Sequence, residues 1–139
     1  MRRTTLLICL SLLALPLAPL AQGPMLLDPA KAPMTLKGGW IHQKTGDKND
    51  LVIKIEAIQP DGTFTGRIDF YNTYKAAACK LVNEPIKEGK VTDKTLRVVA
   101  EGPNPNTCPK MVLIFNPGSA KFLEGQMQQG HRMWLDAPK

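Results

Sequence analysis

Leu51-Val52-Ile53-Lys54-Ile55-Glu56-Ala57-Ile58-Gln59-Pro60-Asp61-Gly62-Thr63-Phe64-Thr65-Gly66-Arg67-Ile68-Asp69-Phe70-Tyr71 decides the fold. Leu51, Ile53, Ile55 and Ala57 share one face of a strand, and Lys54 and Glu56 share the other. Pro60-Asp61-Gly62 supplies a turn, because proline presets φ and glycine accepts a positive φ. Beyond it Phe64, Gly66, Ile68 and Phe70 alternate with Thr65, Arg67, Asp69 and Tyr71. Period two on both sides of a turn is the pattern of an antiparallel hairpin with one buried face.

The same grammar continues outward. A first strand is expected near Trp40, preceded by a proline-bearing stretch (Pro24, Pro29, Pro33) that reads as an extended lead-in arm. Tyr74 to Cys79 reads as a short helical turn or an irregular strand, and Ile86 to Val91 as a weak strand. Leu96, Val98 and Ala100 form one apolar row. Glu101 to Pro109, with Gly102, Pro103, Pro105 and Pro109, must be a loop. Met111 to Phe115 is almost wholly apolar, which suits a strand covered on both faces. Leu123, Gly125 and Met127 alternate with polar residues, Gln129-Gly130 turns, and His131 to Asp136 is the last strand. About eight short strands joined by short turns predict an all-β, antiparallel up-and-down meander closed into a barrel. Closure leaves no unpaired edge.

The amino-terminal stretch reads as a secretory signal. Arg2 and Arg3 precede an apolar run, Leu6 to Leu15, too short to span a bilayer. Cleavage after Ala21 is favoured over cleavage after Gly23, and a retained membrane anchor is the competing reading. The organisation is therefore signal 1–21, lead-in arm 22–37 and barrel domain 38–139. A location in the periplasm or outside the cell follows. Without Arg2 and Arg3, the 18 Lys and Arg residues become 16 against 12 acidic ones, a net charge of +4. The lysines form no run of three, which argues against nucleic acid as a partner. No later apolar run approaches a membrane span.

Removing the signal leaves Cys79 and Cys108, and an even pair in an exported chain reads as a disulfide. A metal or a catalytic thiol is the alternative, but neither sequence context offers partners. Ser119 is the single serine beyond the signal, and it sits in a Pro-Gly turn rather than at a strained elbow. His42 and His131 lack any zinc-site spacing, and they are expected as exposed strand-end residues unless the first and last strands pair. No phosphate loop follows a strand. The chain reads as a non-enzyme without a cofactor.

Gly38-x-Trp40 at the first strand, Phe64-Thr65-Gly66, the meander and Arg132 in the last strand resemble a calycin, the superfamily that includes lipocalins and avidins. The resemblance implies that Trp40 plugs one barrel end, with Gly38 allowing close backbone approach. It also implies a basic side chain, Arg132 or Lys139, over the plug. Trp40-Ile41-His42-Gln43 and Phe64-Thr65-Gly66-Arg67-Ile68 look like avidin strands, yet His42 and Ile68 stand where avidins carry Asn and Tyr. Biotin is therefore not the expected ligand.

Arg67, Tyr71, Arg97, Arg132 and Trp134 are the candidate binding residues, because each is expected on the outer side of its strand. Arg and Trp are favoured at the centres of protein interfaces. The competing role for Trp134 is a barrel-end cover with Arg132 stacked on it. The expected function is recognition of a protein partner, an inhibitor being one form, through barrel-end loops or the outer face. A carrier of a small apolar ligand in the lumen is the alternative, and a hydrolase ranks third. A hollow lumen above about 300 Å³ would favour the carrier. A filled one would favour the partner.

Overall fold

The computed structural model describes residues 23–71, 79–127 and 130–139. Its strands are β1 (Met34–Ile41), β2 (Lys48–Ile58), β3 (Thr63–Phe70), β4 (Leu81–Pro85), β5 (Glu88–Val91), β6 (Leu96–Ala100), β7 (Met111–Pro117), β8 (Leu123–Gln126) and β9 (Arg132–Leu135). Every pairing is antiparallel. β4 and β5 both pair with β3, and between them Ile86 N donates to Gly66 O (2.9 Å) and Lys87 N to Val99 O (2.9 Å). They act as one bent strand. The sheet closes where β1 pairs with β9 and β2, giving an eight-stranded barrel. No helix among the described residues is long and apolar enough to cross a membrane.

The deciding hairpin forms as its pattern dictates, with one exception. Leu51, Ile53, Ile55, Phe64, Ile68 and Phe70 are all buried. The turn closes through Gln59 N to Thr63 O at 2.8 Å, and Gly62 takes φ +84°. Ala57, expected inside, is exposed, and Ile58 is buried in its place. The cause is a bulge between Ile55 and Ala57, which shifts the register and exchanges the two faces of the strand end.

Three further expectations change. β1 begins at Met34, so residues 34–37 of the expected arm belong to the barrel, and Trp40 stands near the end of its strand. A five-residue strand, Leu81–Pro85, lay hidden because β4 carries no apolar alternation. In β7 Leu113 and Phe115 are buried and Met111 packs against the core, while Ile114 is 43% exposed. A single-layered barrel covers one strand face, so an apolar run leaves its outer side chains in water. The stretch Tyr74 to Cys79, read as a short helical turn or an irregular strand, lies outside the described residues except for Cys79.

The remaining arm closes one end. Leu26 N donates to Thr92 O (2.8 Å), and Leu27 is 2% exposed within the core. At that end lie the β2–β3, β5–β6 and β7–β8 turns. The opposite end carries Trp40 and the loops that follow β1, β3, β6 and β8.

Candidate functional site

Alternation places Trp40 inward, and the structure makes it the plug of the second barrel end. It is 1% exposed, stacks on Phe70 with ring centroids 5.2 Å apart, and donates its indole N–H to Tyr71 O (2.9 Å). The groups beside it are not the basic side chain implied by the resemblance. They are His42 and His131, whose rings lie 6.4 and 5.3 Å from the indole and 4.7 Å from each other. Both histidines are buried, contrary to the exposed strand ends expected of them. Pairing of β1 with β9 brings them together across 88 residues of chain.

Each imidazole serves as an acceptor. His131 Nδ1 accepts from Gln43 N (3.0 Å), and His42 Nδ1 accepts from Thr45 N (3.2 Å). Each Nδ1 lone pair is thereby met by a backbone N–H, which ties down the loop between β1 and β2. Burial, followed by the neighbouring His42, holds the His131 imidazole below its usual pKa. Among the described residues no cluster of three or more histidine, cysteine or carboxylate groups stands ready to hold a metal.

The depressed His131 pKa sets a direction for stability against pH. The unfolded chain takes up the proton near the ordinary value of about 6.5, while the folded chain resists it. Stability contributed by His131 is therefore complete above about pH 6.5 and declines as pH falls through that value toward the folded pKa. Protonation also turns an acceptor into a donor facing Gln43 N–H. We expect the denaturation midpoint to drop between pH 7.5 and 5.5, and His131→Gln to flatten that slope. An equally steep slope in the variant would assign the effect to other groups.

The interior is packed. Leu36, Ile53, Ile68, Leu96, Val98, Phe115 and Leu123 have no accessible surface, so no water-sized void adjoins them. A groove of about 520 Å³ runs over the outside of β8, β9 and β1. Ile41, Lys48, Lys121, Glu124, Gln126, Arg132 and Trp134 border it. Trp134 is half-buried because Gly39 leaves space for it: a Cβ there would stand 2.7 Å from Trp134 Cζ2. Gly39 and Trp134 are register partners, so only strand pairing reveals this seat. At Gly38 a Cβ would strike the Trp134 carbonyl oxygen, so the two backbones approach closely there.

The five candidate binding residues do not converge. Arg67 donates to Asn83 O (3.0 Å) and stands 3.6 Å from Glu56. Tyr71 lies under the Lys80 ammonium at 5.4 Å. Arg97 is paired with Glu88 at 3.0 Å, three strands away from β9. Arg132 and Trp134 alone share a surface, both on the outer side of β9, and neither covers a barrel end. Lys48 and Ile41 join them there. Sequence reasoning missed both, because strand pairing supplies that neighbourhood and no local motif marks it. Comparison with family models, curated proteins and solved structures finds no match to the chain.

Proposed function

We propose that the chain is an exported, calycin-like binding module without catalytic activity, recognising a protein partner on the outer face of β8, β9 and β1. The observation that carries this reading is the pairing of an exposed Arg132 with a half-buried Trp134 along a groove of about 520 Å³. Arginine and tryptophan at the centre of a concave surface supply much of the energy of protein contacts. Inhibition of the partner is one form the recognition would take. A carrier needs a lumen, and the close-packed interior gives that alternative little support. Ser119, the one serine beyond the signal, is exposed in the β7–β8 turn without a neighbouring histidine, which supports binding over hydrolysis. Export is supported by the Arg2-Arg3 and Leu6 to Leu15 pattern and is compatible with the Cys79–Cys108 bond.

The test is capture from the native envelope fraction by chemical cross-linking, with wild type, Arg132→Ala and Trp134→Ala as baits. Both substitutions are expected to abolish the cross-linked product, and Arg132→Ala to leave the melting temperature nearly unchanged. Retention of the same product by both folded variants would move the interface elsewhere.

A further inference from the structure

We propose that the groove takes an acidic peptide segment, its carboxylates meeting Arg132 and Lys48 and an apolar side chain lying against Ile41 and Trp134. This rests on the outer face being the contact surface. Register places the two cations. Ile41 pairs with Arg132 on one side and with Lys48 on the other, so the three outward side chains form a row across β9, β1 and β2. Two strand spacings separate the cations, roughly 10 Å between backbones. Trp134 lies two residues from Arg132 on the same face.

Among the described residues no carboxylate pairs with the cations of this row. Neither Arg132 nor Lys48 makes an ion pair among the described residues, and the Trp134 indole N–H has no acceptor among them. Glu124, the acid in the groove, already accepts from Ala120 N (3.3 Å) and Lys121 N (3.2 Å). Lys121 in turn is held by Asp136 at 2.7 Å. The cations left without an acid, the Arg132 guanidinium and the Lys48 ammonium, outnumber the one acid of the groove, which is bonded through Oε1 alone, and the Trp134 indole N–H adds a third donor. Carboxylates satisfy such a set, and a guanidinium accepts them two bonds at a time. A single carboxylate would leave most of the groove empty, since its volume lies within the roughly 300–1,000 Å³ of sites for much larger ligands. A run of several residues fits. β1, β8 and β9 each have both edges paired, so the segment lies across side chains and does not extend the sheet.

The probe is a pool of eight-residue peptides with blocked termini, randomised over Asp, Glu, Leu, Phe and Gly. A matched pool carries Asn and Gln in place of the acids, and a single-stranded oligonucleotide of equal charge is the third arm. The mature protein is immobilised and retention is measured. We expect the acidic pool to be retained roughly tenfold better than the amide pool, the scale of one charge-assisted contact. The preference should collapse between about 0.01 M and 1 M salt, as the screening length shrinks from about 30 Å to about 3 Å. It should also vanish in the Arg132→Gln/Lys48→Gln variant, checked for an unchanged melting temperature. Equal retention of the two pools, persistence in the double variant or equal retention of the oligonucleotide would each overturn the acidic-segment proposal. The outer-face reading stands or falls separately, on the cross-linking of the envelope partner.

Discussion

Trp40→Ala is expected to destabilise the barrel by roughly 3–5 kcal/mol, the range for removal of a buried large aromatic. The indole is 1% exposed, stacks on Phe70 at 5.2 Å and donates to Tyr71 O at 2.9 Å. Truncation would leave a cavity between Phe70 and the two histidines, and it would leave the Tyr71 carbonyl short of its donor. Domains of this size are stable by about 5–15 kcal/mol, so the loss is a large part of the total. Denaturant titration reads it directly. Trp40→Phe retains the stacking and loses the hydrogen bond, and should cost much less. A midpoint for Trp40→Ala equal to that of wild type would show that the barrel end holds without its plug.

Cys79→Ser/Cys108→Ser is expected to have the second-largest effect. Cys79 and Cys108 are bonded across 29 residues, and a loop of that length stabilises by roughly 3.6 kcal/mol in the chain-entropy model. Placement adds a local consequence. Among the described residues β4 hydrogen-bonds to β3 alone, and the bond ties the start of β4 to the loop after β6. Cys108 is 3% exposed, and a Cβ on Gly102 would stand 2.8 Å from its sulfur, so the bridge packs against the barrel. Hydrogen exchange in the variant should rise first in β4, ahead of β6 and β7. Uniform exchange across the strands, or two alkylatable thiols in the oxidised wild-type protein, would contradict this account.

How far the fold was legible depends on the range over which each signal acts. The alternation in residues 51–71 needs only neighbours two apart in sequence, so the hairpin, its turn and its buried face were readable. The exception at Ala57 and Ile58 is also instructive, because a bulge is a choice of strand pairing and leaves no mark on the period. β4 escaped notice for a related reason. Its residues Val82 and Glu84 do not alternate with buried partners, and its place comes from β3, through Asp69 Oδ1 accepting from Asn83 N (2.6 Å) and Arg67 donating to Asn83 O.

The candidate site was legible in part. Arg132 and Trp134 could be placed on one face of the last strand by counting in twos. Arg67 and Arg97 could not be set aside, because Glu56 and Glu88 meet them only across strand boundaries. Likewise the burial of His42 and His131 depends on a pairing that joins the two ends of the domain.

By itself the sequence determined an all-β meander, the inward rows of its hairpins, the turn at Pro60-Asp61-Gly62 and the pairing of Cys79 with Cys108. These follow from local sterics, from the two-residue period of a strand and from the count of available partners. Tertiary structure alone decided that β1 lies against β9, that Gly39 seats Trp134, and that Lys48 and Arg132 flank Ile41. The physical reason is that strand register is a long-range choice. It depends on which buried rows fit together inside a closed barrel, and the outer side chains that make the groove follow passively from that fit.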